Sequence, residues 1–142
     1  MIHFDLVTLD GVKFSDDVYE IILPTIEGQI GVMPGHMPLI SAATHGIVNV
    51  RRQPHDKDDQ MEHFYISGGV IEVGDNKLSL LVDEADHADD INETEAQKAH
   101  DLALKMKAEA KDQVSLEHAQ SLVDRQGVRL QVAGLKRRHR RP

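Results

Sequence analysis

The hydrophobic period of this chain changes once, near residue 83, and that change constrains the fold more than any other feature. From residue 2 to about 82, apolar residues alternate with polar ones or cluster in runs of five to eight, and Gly, Pro or Asp interrupts them every eight to twelve residues. A period of two gives a ribbon with one face to bury, and turns at that spacing fold it back on itself, the rhythm of an antiparallel all-β domain. Strands are predicted at Ile2–Thr8, Val12–Ser15, Val18–Thr25, Gly28–Met33, Leu39–Ala43, Gly46–Arg52, Met61–Ser67, Val70–Val73 and Lys77–Val82. Nine short strands in some eighty residues predict a sandwich or barrel. The turns are chemically marked: Asp10-Gly11 and Asp75-Asn76 tolerate positive φ, and Pro34-Gly35 fixes one dihedral and frees the next. Residues 54–60 read as a polar loop.

Past residue 83 the pattern is helical. The run 83–95 holds seven carboxylates, and Ala96, Ala99, Ala103, Met106 and Ala110 then recur at spacings of three and four, a narrow seam of small residues. Asn92 with Glu95 resembles a capping box, and the acids before it complement the positive end of the helix dipole. After a break at Asp112–Ser115, with Ser115 as the expected cap, Leu116, Ala119, Leu122, Val123, Gln126, Leu130 and Ala133 repeat the helical spacing. The fold class predicted is all-β plus α: an N-terminal antiparallel β-sandwich over residues 1–88, followed by a C-terminal α-helical hairpin with a basic tail over 89–142. Gly127 and Gly134 each cost the second helix about 1 kcal/mol against alanine, and an alanine seam buries little area, so the hairpin is expected to be marginal.

Composition narrows the function. At 142 residues the chain is too short for a barrel enzyme. With no cysteine it has no disulfide, thiolate zinc site or thiol nucleophile, and a reducing compartment suits it. Neither a membrane span nor a secretory signal is expected, so any membrane association comes through a partner. Nine histidines lie scattered, with no His-x-His pair and no HExxH, and the GxSxG, GxxxxGK[ST] and GxGxxG patterns do not occur. No independent catalytic, cofactor-binding or metal site is therefore predicted. The net charge of −8 conceals an acidic body of 11 basic against 24 acidic side chains before a tip carrying Lys136, Arg137, Arg138, Arg140 and Arg141. Such a tip is commonly a nucleic-acid patch, but the acidic body opposes a phosphate backbone, so no nucleic acid is expected as partner.

The stretch Leu23–Ile40 contains Glu27-Gly28-Gln29-Ile30-Gly31-Val32-Met33-Pro34-Gly35-His36-Met37-Pro38-Leu39, which resembles the EGxxGxxPGHxPL signature of the epsilon subunits of F-type ATP synthases. Gly68-Gly69-Val70-Ile71-Glu72-Val73, with Asn76–Val82 after it, resembles the same family's GGxxEV hairpin and closing strand. The resemblance extends over essentially the whole chain, by residues in the first half and by architecture in the second. Physically, Pro34–Pro38 forms a rigid corner expected to leave His36 exposed, and Glu27–Gln29 forms a turn.

The resemblance implies a non-catalytic rotor subunit of a proton-translocating enzyme, in the central stalk, peripheral to the cytoplasmic face of a bacterial membrane. In that family the β domain clamps the gamma subunit and rests on the polar loops of the c-ring, and Glu27, Gln29, Pro34, Gly35 and His36 are the interface candidates the resemblance implies here. It also implies a hairpin with two states, folded against the β domain or extended into the catalytic head, where Arg125, Arg129, Lys136, Arg137, Arg138, Arg140 and Arg141 would meet acidic segments of the beta subunits, beside alpha, and restrain ATP hydrolysis. Some members bind ATP through an IDxxRA-like motif. Here the run is Ile91-Asn92-Glu93-Thr94-Glu95-Ala96, with a carboxylate where the cation stands, so ATP binding is predicted weak or absent. The competing reading is a β-sandwich protein-binding module with a coiled-coil oligomerisation tail.

Overall fold

The computed structural model describes residues 1–139, with side chains as far as Leu135. Ten strands form one hydrogen-bonded sheet: β1 (Ile2–Thr8), β2 (Gly11–Val18), β3 (Glu20–Thr25), β4 (Gly28–Val32), β5 (Leu39–Ala43), β6 (Gly46–Arg51), β7 (Glu62–Ile66), β8 (Gly69–Gly74), β9 (Lys77–Val82) and β10 (Ala85–His87). Their pairing resolves into two five-stranded halves, β4-β3-β6-β7-β10 and β5-β8-β9-β1-β2, joined where Thr25 of β3 pairs with Ala43 of β5. Every pairing is antiparallel except β1 with β9, where His3 stands opposite Lys77. Alternation decides what goes inside: Ile2, Phe4 and Leu6 of β1 are fully buried while His3, Asp5 and Val7 face the rim. Ile21, Leu23, Val48, Phe64, Ile71 and Leu80 complete the same core from both halves, which makes this the predicted sandwich.

Two glycines let β8 and the turn before it run close against their neighbours. A row of paired residues crosses the sheet from Thr25 through Ala43 and Gly69 to Val82, with Val7 opposite the adjoining Leu81. At Gly69 an added Cβ would lie 1.9 Å from the Leu81 carbonyl oxygen, so no side chain fits, and Gly68 before it has φ of +105°.

The strands depart from the predicted ones in local detail. Val18–Thr25 is two strands, because Tyr19 turns its N–H to the Arg51 carbonyl and the chain passes from β2 to β3 there. β10 lies inside the acidic run, where Ala85, Asp86 and His87 pair with Ile66, Tyr65 and Phe64; the charge density hid a strand of three residues.

Helix α1 (Glu93–Glu109) starts as predicted, the Asn92 carboxamide accepting the Glu95 N–H at 3.0 Å. Helix α2 (Gln113–His139) does not start at Ser115: Asp112 accepts the Ser115 N–H at 2.7 Å, and that bond is what holds the Asp112 carboxyl below its ordinary range. The two helices pack as a hairpin. Ala96 and Ala103 of α1 and Ala119 of α2 are buried, whereas Met106, near the tip, is exposed. His100 stands over Gly127, where an added Cβ would meet the ring only at 3.9 Å, an ordinary contact.

Candidate functional site

The signature stretch folds as a turn, an edge strand and a corner. At the turn, the Thr25 hydroxyl donates to the Gly28 carbonyl at 2.5 Å and accepts the Glu27 N–H at 3.2 Å, while Gly28 takes φ of +119°. Ile26 is 70 % exposed at its tip, and Glu27 and Gln29 are exposed beside it. At the corner, Gly35 takes φ of +82° and donates its N–H to the Asn76 carboxamide oxygen at 3.0 Å; Asn76 in turn donates to the Met1 carbonyl at 2.6 Å. The corner is thereby tied to the β8–β9 turn and to the start of β1.

The structure brings Pro34, Gly35 and His36 together and sets Glu27 and Gln29 apart from them, at the other end of β4, about 16 Å along the strand from Gln29 to Pro34. His36 is half-buried rather than exposed, its Nδ1–H directed to the Met37 carbonyl at 2.7 Å. The side chains that the corner presents outward are Met33 and Met37, joined by Ile40, which is 77 % exposed beside a shallow depression lined by Glu72, Val73, Lys77 and Ser79. The sequence reading missed this apolar rim and the Asn76 tie; the positive-φ signal at Asp75-Asn76 was visible, but its partner lay forty residues away.

The second candidate group belongs to the hairpin. Arg129 pairs with Asp86 and lies 3.9 Å from Glu84, its guanidinium 5.3 Å over the Tyr65 ring, and Arg125 meets Glu84 at 3.5 Å. Beneath them Tyr65, Ala88, Ile91 and Ala96 form a small apolar cluster with Val132 and Ala133, separate from the sandwich core. The Tyr65 hydroxyl is buried without a hydrogen-bond partner among the described residues, and burial, with Glu84 adding to it, pushes the phenol up to about 12. In this conformation Arg125 and Arg129 are engaged within the chain. The side chains of Lys136, Arg137 and Arg138, and all of Arg140 and Arg141, lie outside the described residues.

At the foot of the hairpin, His87 donates from Nε2 to Glu62 at 3.2 Å and accepts the Asp89 N–H on Nδ1 at 3.0 Å. Glu62 also receives Arg52, which reaches across to Asp16 of β2 at 2.8 Å. The His87 hydrogen bond, followed by Arg52, holds the Glu62 carboxyl at about 2, and Glu62 raises His87. Ile91 is buried and Asn92 is occupied as the helix cap, while Glu95 is exposed and carries negative charge where the nucleotide-binding pattern has none.

One array imitates a nucleophile site. Ser15 Oγ lies 3.3 Å from His3 Nε2, and His3 Nδ1 lies 2.9 Å from Asp17. Asp5, however, takes the Ser15 hydroxyl at 2.5 Å and faces His3 Nε2 at 3.0 Å. Both ring nitrogens thus face carboxylates, Asp17 foremost in raising the His3 pKa, and the serine hydroxyl is already given to Asp5 rather than to the ring, so the array is a surface hydrogen-bond network and not a nucleophile with its base. Among the described residues no group of three or more His, Cys, Asp or Glu is arranged to hold a metal ion, and no helix is long and apolar enough to cross a membrane.

Residues 1–88 match the family model described as the ATP synthase delta/epsilon chain, beta-sandwich domain. An ATP synthase epsilon chain of Nitratidesulfovibrio vulgaris is 34 % identical over 94 % of this chain and 96 % of its own length. That of Chloroflexus aggregans is 33 % identical over 99 % of this chain and 97 % of its own. Among solved structures, a chain of the Euglena gracilis mitochondrial ATP synthase, in an OSCP/F1/c-ring assembly, superposes with a TM-score of 0.77 at 22 % identity, covering 94 % of this chain and 81 % of that one. A chain from the central stalk and c-ring of the Tetrahymena thermophila mitochondrial ATP synthase gives 0.62 at 15 % identity, covering 94 % and 95 %.

Proposed function

The chain belongs to the epsilon chains of the ATP synthase delta/epsilon family, and on that premise we propose that it is a non-catalytic rotor component of the central stalk that couples gamma to the c-ring. The observation that carries this reading is the signature stretch itself, in a chain whose relatives are matched over nearly their whole length, folded into a turn and a corner at opposite ends of one strand rather than a cleft. We assign the polar turn of Glu27 and Gln29 to the polar loops of the c-ring. The corner of Pro34, Gly35 and His36, rimmed by Met33, Met37 and Ile40, offers the apolar area that a packed gamma subunit requires. Residues 1–88 form the docking body and 89–142 the hairpin. Association with the cytoplasmic face of a bacterial membrane then follows from the complex, with no membrane contact of the chain's own.

The hairpin is proposed as a brake on ATP hydrolysis. Docked, it holds Arg125 and Arg129 against Glu84 and Asp86. Extended, it would offer the same two cations, with those of the basic tail, to acidic segments of beta subunits next to alpha. The supporting feature is the limited extent of the docked contact, a cluster of Tyr65, Ile91, Val132 and three alanines separate from the sandwich core and joined by ion pairs. Such a contact supports two states of similar energy. No ATP site is proposed in the hairpin, and saturable binding at sub-millimolar ATP in a calorimetric titration would overturn that.

The test is ATP hydrolysis by the cognate soluble catalytic sector, reconstituted with the intact chain or a chain ending after Asp90. The expected result is that both bind gamma and only the intact chain suppresses hydrolysis. If neither suppresses it, the brake is refuted and the coupling role stands. If neither binds, the coupling role falls.

A further inference from the structure

The turn that carries Glu27 has a twin. Thr25-Ile26-Glu27-Gly28 is matched by Thr8-Leu9-Asp10-Gly11, the turn between β1 and β2. In the twin, the Thr8 hydroxyl likewise donates to the Gly11 carbonyl at 3.2 Å and accepts the Asp10 N–H at 3.2 Å, and Gly11 takes φ of +123°. Each turn lifts one large apolar side chain into solvent at its tip: Leu9 is 88 % exposed and Ile26 is 70 % exposed. Each sets a carboxylate directly after it. Leucine and isoleucine so largely exposed at turn tips gain little from the fold, since turn positions favour polar residues. The threonine that builds each turn is itself buried.

The two turns also share one end of the sandwich. Thr25 and Val7 close the two ends of the row that runs through Ala43, Gly69 and the Leu81–Val82 step, so the tips leave the sheet in the same direction, within about 20 Å measured along four strand spacings. The corner at Gly35, tied to Asn76 and Met1, is at the opposite end.

We infer that Leu9 and Asp10 form a second prong on the surface that carries Ile26 and Glu27, and that the partner of this end is an assembly of repeated copies presenting the same apolar-and-cationic feature to each prong. Two prongs of one design in one molecule are complementary to a surface that repeats itself. Carboxylates beside apolar tips select cations beside apolar patches. The inference rests on the proposal that the Glu27 turn meets the c-ring, and it adds that contact by the β1–β2 turn is with a further copy of the same ring subunit.

The absence of native cysteine makes the test direct. Leu9→Cys, Ile26→Cys and, at the opposite end, Asp75→Cys chains are each labelled with a thiol-directed photo-crosslinker and assembled into the complete synthase. After illumination the crosslinked partner is identified by mass spectrometry. The expected result is that Leu9→Cys and Ile26→Cys both capture the ring subunit while Asp75→Cys does not. Capture of another subunit, or of none, from Leu9→Cys while Ile26→Cys captures the ring overturns the second prong alone. Failure of Ile26→Cys to capture the ring overturns the assignment of the Glu27 turn on which the inference rests. As a second readout, Asp10→Lys alone is expected to weaken retention of the chain on the complete synthase about tenfold, as is Glu27→Lys, and an Asp10→Lys chain retained as well as the native one would overturn the second prong.

Discussion

Substituting Glu62→Gln tests whether the charged cluster at the foot of the hairpin stabilises the fold in the way its geometry implies. Glu62 is held at about 2 against its ordinary 4.5, by the His87 hydrogen bond first and by Arg52 as well. A carboxyl depressed in the folded state stabilises above the unfolded pKa, and that contribution is lost as pH falls through the folded one. The depression sets a ceiling of about 3 kcal/mol. With a side chain 25 % exposed and an Arg52 that is 42 % exposed, solvent screening reduces this to about 1–2 kcal/mol. His87 is displaced in the opposite sense, raised by the same bond, so its share is complete below about 6.5 and fades as pH rises through its folded value. The stability difference between the native chain and Glu62→Gln is therefore expected to peak near pH 5, to shrink toward pH 2, and to ease above about pH 7. Urea unfolding followed by far-ultraviolet circular dichroism at these pH values measures it. A difference that is constant with pH would refute the argument, because it would mean that the glutamate acts by shape rather than charge.

Three further outcomes are expected. Gly69→Ala, whose Cβ would lie 1.9 Å from the Leu81 carbonyl, should cost about 3 kcal/mol or more or prevent folding, whereas Gly127→Ala, with its nearest contact at 3.9 Å from His100, should raise stability by about 0.5–1 kcal/mol in thermal unfolding. In an ultraviolet absorbance titration, the Tyr65 phenol should ionise near 12 in the intact chain and fall toward 10 in the chain ending after Asp90, because docked α2 supplies the burial; an unchanged curve would place that burial in the sandwich alone. Glu84→Gln with Asp86→Asn should loosen the hairpin about tenfold at low salt and remove the salt dependence of its docking, read by hydrogen exchange over α1 and the described part of α2.

The sandwich was legible because its evidence is local. Alternation in β1 and β3 states which face is buried, and Asn92 and Gly28 occupy positions where a helix cap or a positive φ requires them. β10 was illegible because three residues have no period and Asp86 reads as loop, although its partners on β7 supply the hydrogen bonds. The same reasoning explains Ser115: Ser and Asp both cap helices, and only the backbone path selected Asp112. Of the candidate interface residues, the turn and corner were visible as motifs, but a motif gives no distance, and the five residues of β4 separate what the sequence made contiguous. The cations Arg125 and Arg129 were singled out by the role that the resemblance implies for the second helix. Their partners Glu84 and Asp86 sat among seven carboxylates that nothing in the sequence ranked.

The parallel pairing of β1 with β9 also fixes an order of events at the ribosome. β1 carries three of the fully buried apolar side chains, Ile2, Phe4 and Leu6, yet Lys77, the residue opposite His3, emerges 74 residues later. Until β9 emerges, β1 can pair only with the neighbouring β2, and the sheet lacks the strand that links it to β8. Closing so long a loop is slow, and the waiting ribbon is the segment of the nascent chain most exposed to wrong partners. The hairpin, made of local contacts, forms after β9 has emerged and fastens onto a sandwich already closed. A variant that slows closure, such as one at Gly69, is therefore expected to lose part of its yield to aggregation during synthesis, beyond the stability deficit of the molecules that do fold.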